Sequence, residues 1–267
     1  MIKIIAVLLG LSMSFGYALA ADQDAPNPVE TCKAQIPYGM PSTNQTSTVI
    51  CRKAYLVGHN NVGKIPDWVA WNLTVDHVIG CVPRVNAFAA DLSLPVTSRS
   101  TPADYAGSGY DQGHLANNAD MSWSETVAKE SFLMSNMSPQ LPSVNRGVWK
   151  NLESAERAWV LERQHSFTIY AGDIWGPRAK VIGKDSVVVP EYLFKILVDD
   201  VLKQSYAFII QNKDGQDKDF TKYQVTVADV EKASGLTFPV PDKKDVKNPI
   251  TEPDLKKFSS QKKAECN

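Results

Sequence analysis

The amino-acid sequence predicts an α+β fold, and three observations carry that expectation. Short apolar and β-branched runs recur between Gly, Asn, Pro and Asp turn signals, as strands do. One stretch, from Asn145 onward, instead sets Val148, Leu152, Ala155 and Trp159 at helical spacing, an apolar stripe for a core. The chain of 267 residues shows no internal repeat, and its length suits one large domain once an N-terminal leader is set aside.

The leader comes first. Lys3 gives a charged start, Ile4 to Leu11 an apolar centre, and Ala18-Leu19-Ala20 before Ala21 a small-residue cleavage site, which together predict a signal peptide over residues 1–20. Ser12 and Ser14 keep the apolar run short of a spanning helix, and no later stretch approaches that length, so no membrane anchor is expected. The mature chain is expected to be secreted or periplasmic. Residues 22–50 read as an irregular lead-in to a single domain over 21–241. Ala54 to Val57, Trp68 to Thr74 and Val78 to Val82 have strand character.

Ser122, three residues before Glu125, reads as a capping box for a helix from about Trp123 to Phe132, with Leu133 to Met137 extended after it. The Asn145 helix should end near Arg163 or Gln164. Phe167 to Ala171, Ser186 to Val189, Leu193 to Val198 and Ser205 to Ile210 follow as strands, several with near-continuous apolar runs suited to a buried sheet. Gly172-Asp173 and Gly176-Pro177 read as turns between them. Thr226 and Asp229 open a short helix that Ser234-Gly235 closes. Residues 242–267 read as a mobile, lysine-rich tail.

The chain has four cysteines, Cys32, Cys51, Cys81 and Cys266, all beyond the leader. An even number in an exported chain implies two disulfides, with three pairings open. Cys32 with Cys51 and Cys81 with Cys266 is the favoured one. A zinc site is disfavoured, since no Cys-x-x-Cys occurs and His59, His77, His114 and His165 are scattered.

The chemistry concentrates between Ser108 and Arg157. His114 ends the polar run Asp111-Gln112-Gly113-His114, where Gly113 permits a tight backbone path. A histidine in a polar loop is most often a solvated surface residue. What points elsewhere is the helix that follows, which keeps Asn145, Glu153 and Arg157 off its apolar stripe. These are the parts of a one-histidine, one-metal phosphodiesterase: a proton acceptor, an oxygen ligand for a hard cation, and charges to tune it. Eight residues of helix rise roughly 12 Å, so Asn145 should sit at the helix entrance, with Glu153 acting through a water.

Tyr110 to His114 (YDQGH), Ser135 to Gln140 (SNMSPQ) and Asn145 to Glu153 (NRGVWKNLE) resemble, in order and spacing, the motifs of the DNA/RNA non-specific endonuclease family: Asp-Arg-Gly-His, Ser-Asn-x-x-Pro-Gln and Asn-x-x-x-Trp-x-x-x-Glu. The resemblance covers residues 50 to 240. It implies a central, mostly antiparallel sheet carrying a ββα-metal (His-Me finger) site that hydrolyses DNA and RNA. In it His114 would be the general base, and Asn145 would hold Mg²⁺, with Mn²⁺ as the alternative ion. Glu153 would orient metal waters, Arg84 and Arg157 would balance phosphate charge, and Asn136 would support the histidine loop. Read from the residue itself, Asp111 either holds that loop through backbone hydrogen bonds or anchors a metal water, the structural role being favoured. One position departs: Gln112 stands where the family has arginine, and it offers neutral hydrogen bonds in place of a fixed charge. The alternative reading is therefore a catalytically attenuated protein that still binds nucleic acid. A net charge of −1 requires cations to be gathered locally, with Arg84, Arg99, Arg146, Lys150 and Arg157 as candidates. The residues set no oligomeric state.

Overall fold

The computed structural model describes residues 32–43, 47–243 and 250–266. The expected leader and residues 22–31 and 44–46 of the lead-in lie outside the described residues; the described part is not all irregular, since Lys33–Gln35 is a 3₁₀ turn and Ser47–Cys51 a strand. In chain order the main elements are β1 (Ser47–Cys51), β2 (Tyr55–Asn60), β3 (Ile65–Leu73), α1 (Val75–Val78), α2 (Pro102–Tyr105), β4 (Asp111–His114), α3 (Glu125–Glu130) and β5 (Met137–Gln140). Then follow α4 (Lys150–Arg163), β6 (Phe167–Ile174), β7 (Val181–Ile182), β8 (Val187–Val188), β9 (Tyr192–Asp199), β10 (Gln204–Gln211), β11 (Gln224–Val225), α5 (Val227–Ser234) and α6 (Leu255–Glu265).

Seven strands form one sheet in the order β1-β2-β3-β6-β9-β10-β11. Every neighbouring pair is antiparallel. The strands read as continuous apolar runs because both faces are covered. On one face Val69, Trp71 and Leu73 of β3 pack with Trp149, Leu152 and Trp159 at and within α4. On the other, Trp68 and Ala70 pack with Tyr170, Phe194, Phe238 and the α5 residue Val230. Alternate residues of one strand thus enter different cores. The stripe Val148, Leu152, Ala155 and Trp159 is at most 1% exposed, as its spacing requires. Burial of Val148 and of Leu152 contributes about 1.5–3 kcal/mol each.

Both expected disulfides are present, Cys32–Cys51 and Cys81–Cys266. The capping box at Thr226 and Asp229 is present too, and Gly235 closes α5 in the left-handed conformation at φ 71°. Gln164 does the same for α4.

Several local expectations are corrected. Val78 to Val82 is no strand: α1 ends at Val78, and Gly80 then crosses the Ser122 backbone so closely that a Cβ would lie 2.1 Å from the Ser122 carbonyl carbon. Ser122 caps nothing, because its hydroxyl donates to the Gly80 and Ala119 carbonyls; α3 starts after Ser124. Met134–Asn136 is a 3₁₀ turn before β5, not extended chain. Gly172-Asp173 lies inside β6, opposite Phe194 and Leu193. Glycine is needed there because the Asp67 carbonyl and the Phe194 ring occupy the place of a Cβ. The described part of the tail, residues 250–266, is also not loose. α6 is capped by Asp254, whose backbone N–H donates to Glu162 at 2.6 Å, while Trp159 Nε1 donates to the Thr251 carbonyl at 2.9 Å.

Candidate active site

β4 and β5 form a separate antiparallel ribbon, with Asp111 opposite Gln140 and His114 opposite Met137. Gly113 is required by packing, since a Cβ there would stand 2.3 Å from the Gln140 side chain. The chain then turns at Pro142–Val144 and passes through a wide, π-type turn over Asn145–Trp149 before α4 begins. Gly147, at φ −106° and ψ −113°, breaks the helical path within that turn. Asn145 accordingly sits at the entrance of the helix. Trp149 ties helix to ribbon, its indole N–H donating to the His114 carbonyl at 3.2 Å.

The His114 ring is 7% exposed and packs edge-on against Phe132, with centroids 4.9 Å apart, and at a tilt against Phe88. Its Nε2 is enclosed without a partner. Burial, reinforced by the Arg84 charge, drives its pKa down to about 3, so the ring is neutral at physiological pH. Arg84 comes from the long segment between α1 and α2. Its guanidinium lies 5.0 Å from the centroid of the same Phe132 ring, and its Nε donates to Asn86.

Behind His114 the backbone is locked by Asn136, which is fully buried. Its amide accepts from Ala116 N–H at 2.9 Å and donates to the Ala116 and Ser131 carbonyls, both at 2.8 Å. Asp111 does not bond backbone outside its ribbon. Its carboxylate receives Asn145 Nδ2 at 2.8 Å, Arg146 Nε at 2.8 Å and an Arg146 terminal nitrogen at 2.6 Å. A carboxylate only accepts, so the Asn145 amide must turn its nitrogen toward Asp111 and its oxygen away. Gln112 is half-buried, and its carboxamide bonds no described residue.

Glu153, two turns further along, is half-buried with no hydrogen bond from a described residue. Burial pushes its pKa up to about 7, against the pull of Lys195, Arg157 and Arg84. Arg157 does not reach the open side. It is 7% exposed and bonds Asp120 at 3.0 Å and Asn117 at 2.9 Å, because a cation on the inner flank of α4 needs an anion beside it.

Sequence reasoning missed the layer beneath. Lys195 on β9 and Glu156 on α4, both fully buried, pair at 2.8 Å. The ammonium lies 4.7 Å from the Trp149 ring and 5.5 Å from that of Trp71. Asn117 donates to Glu156 at 2.9 Å, and Trp71 to Asp120 at 3.1 Å. One network therefore joins sheet, helix and the loop leaving His114. The available signals were a lysine inside Leu193 to Val198, and Asn117 and Asp120 just past the histidine.

A two-stranded ribbon ending in a buried neutral histidine, followed by a helix with an asparagine oxygen at its mouth, is the ββα-metal arrangement of a phosphodiester hydrolase. The chain belongs to the DNA/RNA non-specific endonuclease family, whose model matches residues 33–244. It is 30% identical over 216 residues to the mitochondrial endonuclease G of Homo sapiens, covering 75% of this chain and 71% of that one. Nuclease C1 of Cunninghamella echinulata is 31% identical over 204 residues, covering 70% and 81%. The solved EndoG/EndoGI complex superposes with a TM-score of 0.72 at 25% identity, covering 84% of this chain and 95% of that one.

Proposed function

We propose that the protein hydrolyses phosphodiester bonds of DNA and RNA with His114 as general base and one Mg²⁺, or Mn²⁺ in its place, held through Asn145. The observation that carries this reading is the Asn145 amide, turned by Asp111 so that its oxygen meets no described donor. That oxygen, with the Glu153 carboxylate further in, fits a hard cation that keeps most of its water. No cluster of three His, Cys, Asp or Glu residues able to hold a metal occurs among the described residues. Such a cation supplies charge neutralisation at the phosphate and at the leaving 3′-oxygen.

The protein's own groups do the rest. His114 takes a proton from the water that attacks phosphorus, and the P–O3′ bond breaks as the new P–O bond forms. The leaving oxygen takes its proton from solvent. A base whose pKa is about 3 is weak, but part of that depression comes from Arg84. An arriving phosphate pairs with Arg84, cancels that part, and so strengthens the base as substrate binds. Asn136 and Trp149 hold the histidine backbone, and Glu153 would orient the waters of the bound cation. Contacts made to backbone phosphates give little sequence preference.

The favoured compartment is periplasmic or extracellular. Residues 1–20 read as a leader, and two disulfides suit an oxidising space. The deciding experiment is digestion of supercoiled plasmid and of RNA with Mg²⁺ and with chelator, alongside His114→Ala. Metal-dependent cleavage of both polymers that falls about 10²- to 10⁴-fold in the variant is expected. Undiminished cleavage by the variant would remove His114 from the mechanism. A wild-type protein that binds but does not cleave would favour the attenuated alternative.

A further inference from the structure

Arg146 follows Asn145 directly, and its side chain is 71% exposed. It reaches Asp111 with Nε and one terminal nitrogen, sharing Oδ2 with the Asn145 amide, each at 2.8 Å. The guanidinium and the proposed metal-holding amide are thus next neighbours on one carboxylate. An arginine carries five N–H donors in a planar fork, and no described residue meets the other terminal nitrogen of Arg146. One edge of the fork is anchored, and the other is wet.

An anchored guanidinium loses little freedom on binding an anion. It also cancels Asp111, a carboxylate that would otherwise repel a phosphate at this wall. The neighbouring Gln112 offers no charge and bonds no described residue. We propose that Arg146 is a substrate-phosphate contact of this site, supplying from the helix entrance the cation that position 112 lacks. The inference rests on the nuclease reading above.

The test uses Arg146→Gln and Gln112→Arg/Arg146→Gln beside wild type. Steady-state cleavage of a duplex oligonucleotide in Mg²⁺ gives kcat and KM. Metal-free binding of the same duplex, measured across salt concentrations with each variant in a His114→Ala background, gives the salt slope. Arg146→Gln is expected to raise KM roughly tenfold, the loss of one charge-assisted hydrogen bond, with a smaller change in kcat. It should lower the magnitude of the salt slope by about one. Adding Gln112→Arg should restore both. An unchanged KM and salt slope overturns the proposal. So does a loss confined to kcat that Gln112→Arg does not restore, which would make Arg146 only a clamp on Asp111. If the wild-type protein cleaves neither DNA nor RNA, the nuclease reading fails, and the salt slope still decides whether Arg146 contacts phosphate.

Discussion

Two walls flank the candidate site, and they are held by different means. The ribbon β4–β5 with α4 is fastened from below by Asn136, Trp149 and the Lys195–Glu156 pair, all buried. The opposite wall, residues 79–101, carries Arg84 and has no helix or strand, only a bridge from Ala89 to Leu133. It is pinned at points. Cys81 bonds Cys266, and Asp91 gathers Arg52, Ser93 and Ser135. The first wall is held by a buried, packed layer. The second hangs on a few point contacts and on one cross-link from the far end of the chain, so damage to either should look different.

The largest expected effect falls on the first wall. Lys195→Met leaves Glu156 buried without its partner and should cost about 3–5 kcal/mol, read from urea unfolding. Lys195→Met/Glu156→Leu should recover most of that; a double variant no better than the single one would show that the network is not organised around this pair. Next comes Cys266→Ser. Losing the Cys81 cross-link should lower stability by roughly 2–4 kcal/mol, and KM should rise as the Arg84 wall loosens. An unchanged KM would show that Asp91 suffices to hold that wall.

Arg84→Ala, in contrast, should leave thermal unfolding nearly untouched and lower kcat/KM by roughly 10²-fold, as for other groups facing developing phosphate charge. At neutral pH the smallest effect is that of pH itself, and it grows as pH falls. The unfolded chain takes a proton on His114 near pH 6.5, whereas the folded chain refuses it until about pH 3. Stability is therefore lost as pH falls between those values, by up to about 1.4 kcal/mol per pH unit for this group. His114→Ala should flatten that part of the wild-type stability curve. Parallel curves would mean the ring is hydrated in the folded protein.

The same division explains what the sequence made legible. His114, Gly113 and Asn145 lie in short motifs, and the structure brings them to one place because a ribbon and the helix entry after it are local constructions. β2, β3, β6, β9 and β10 were visible as apolar runs, since both sheet faces are covered, whereas β1 fell in the polar stretch read as irregular. Lys195 was hidden by those very runs, because its charge is answered by Glu156 from another element. Arg157 shows the converse: a charge off the apolar stripe looks free in the sequence, yet Asp120 lies beside it. Gly172 read as a turn because glycine serves turns and close approaches alike, and only the Asp67 and Phe194 neighbours separate the two.

The Cys81–Cys266 bond also imposes an order of assembly. Its partners are 185 residues apart, so the Arg84 wall cannot be stapled until residue 266 has been synthesised and both thiols have met an oxidant. A ribosome lies in a reducing compartment. For as long as the nascent chain shares that space with its own message, the Arg84 wall lacks its cross-link.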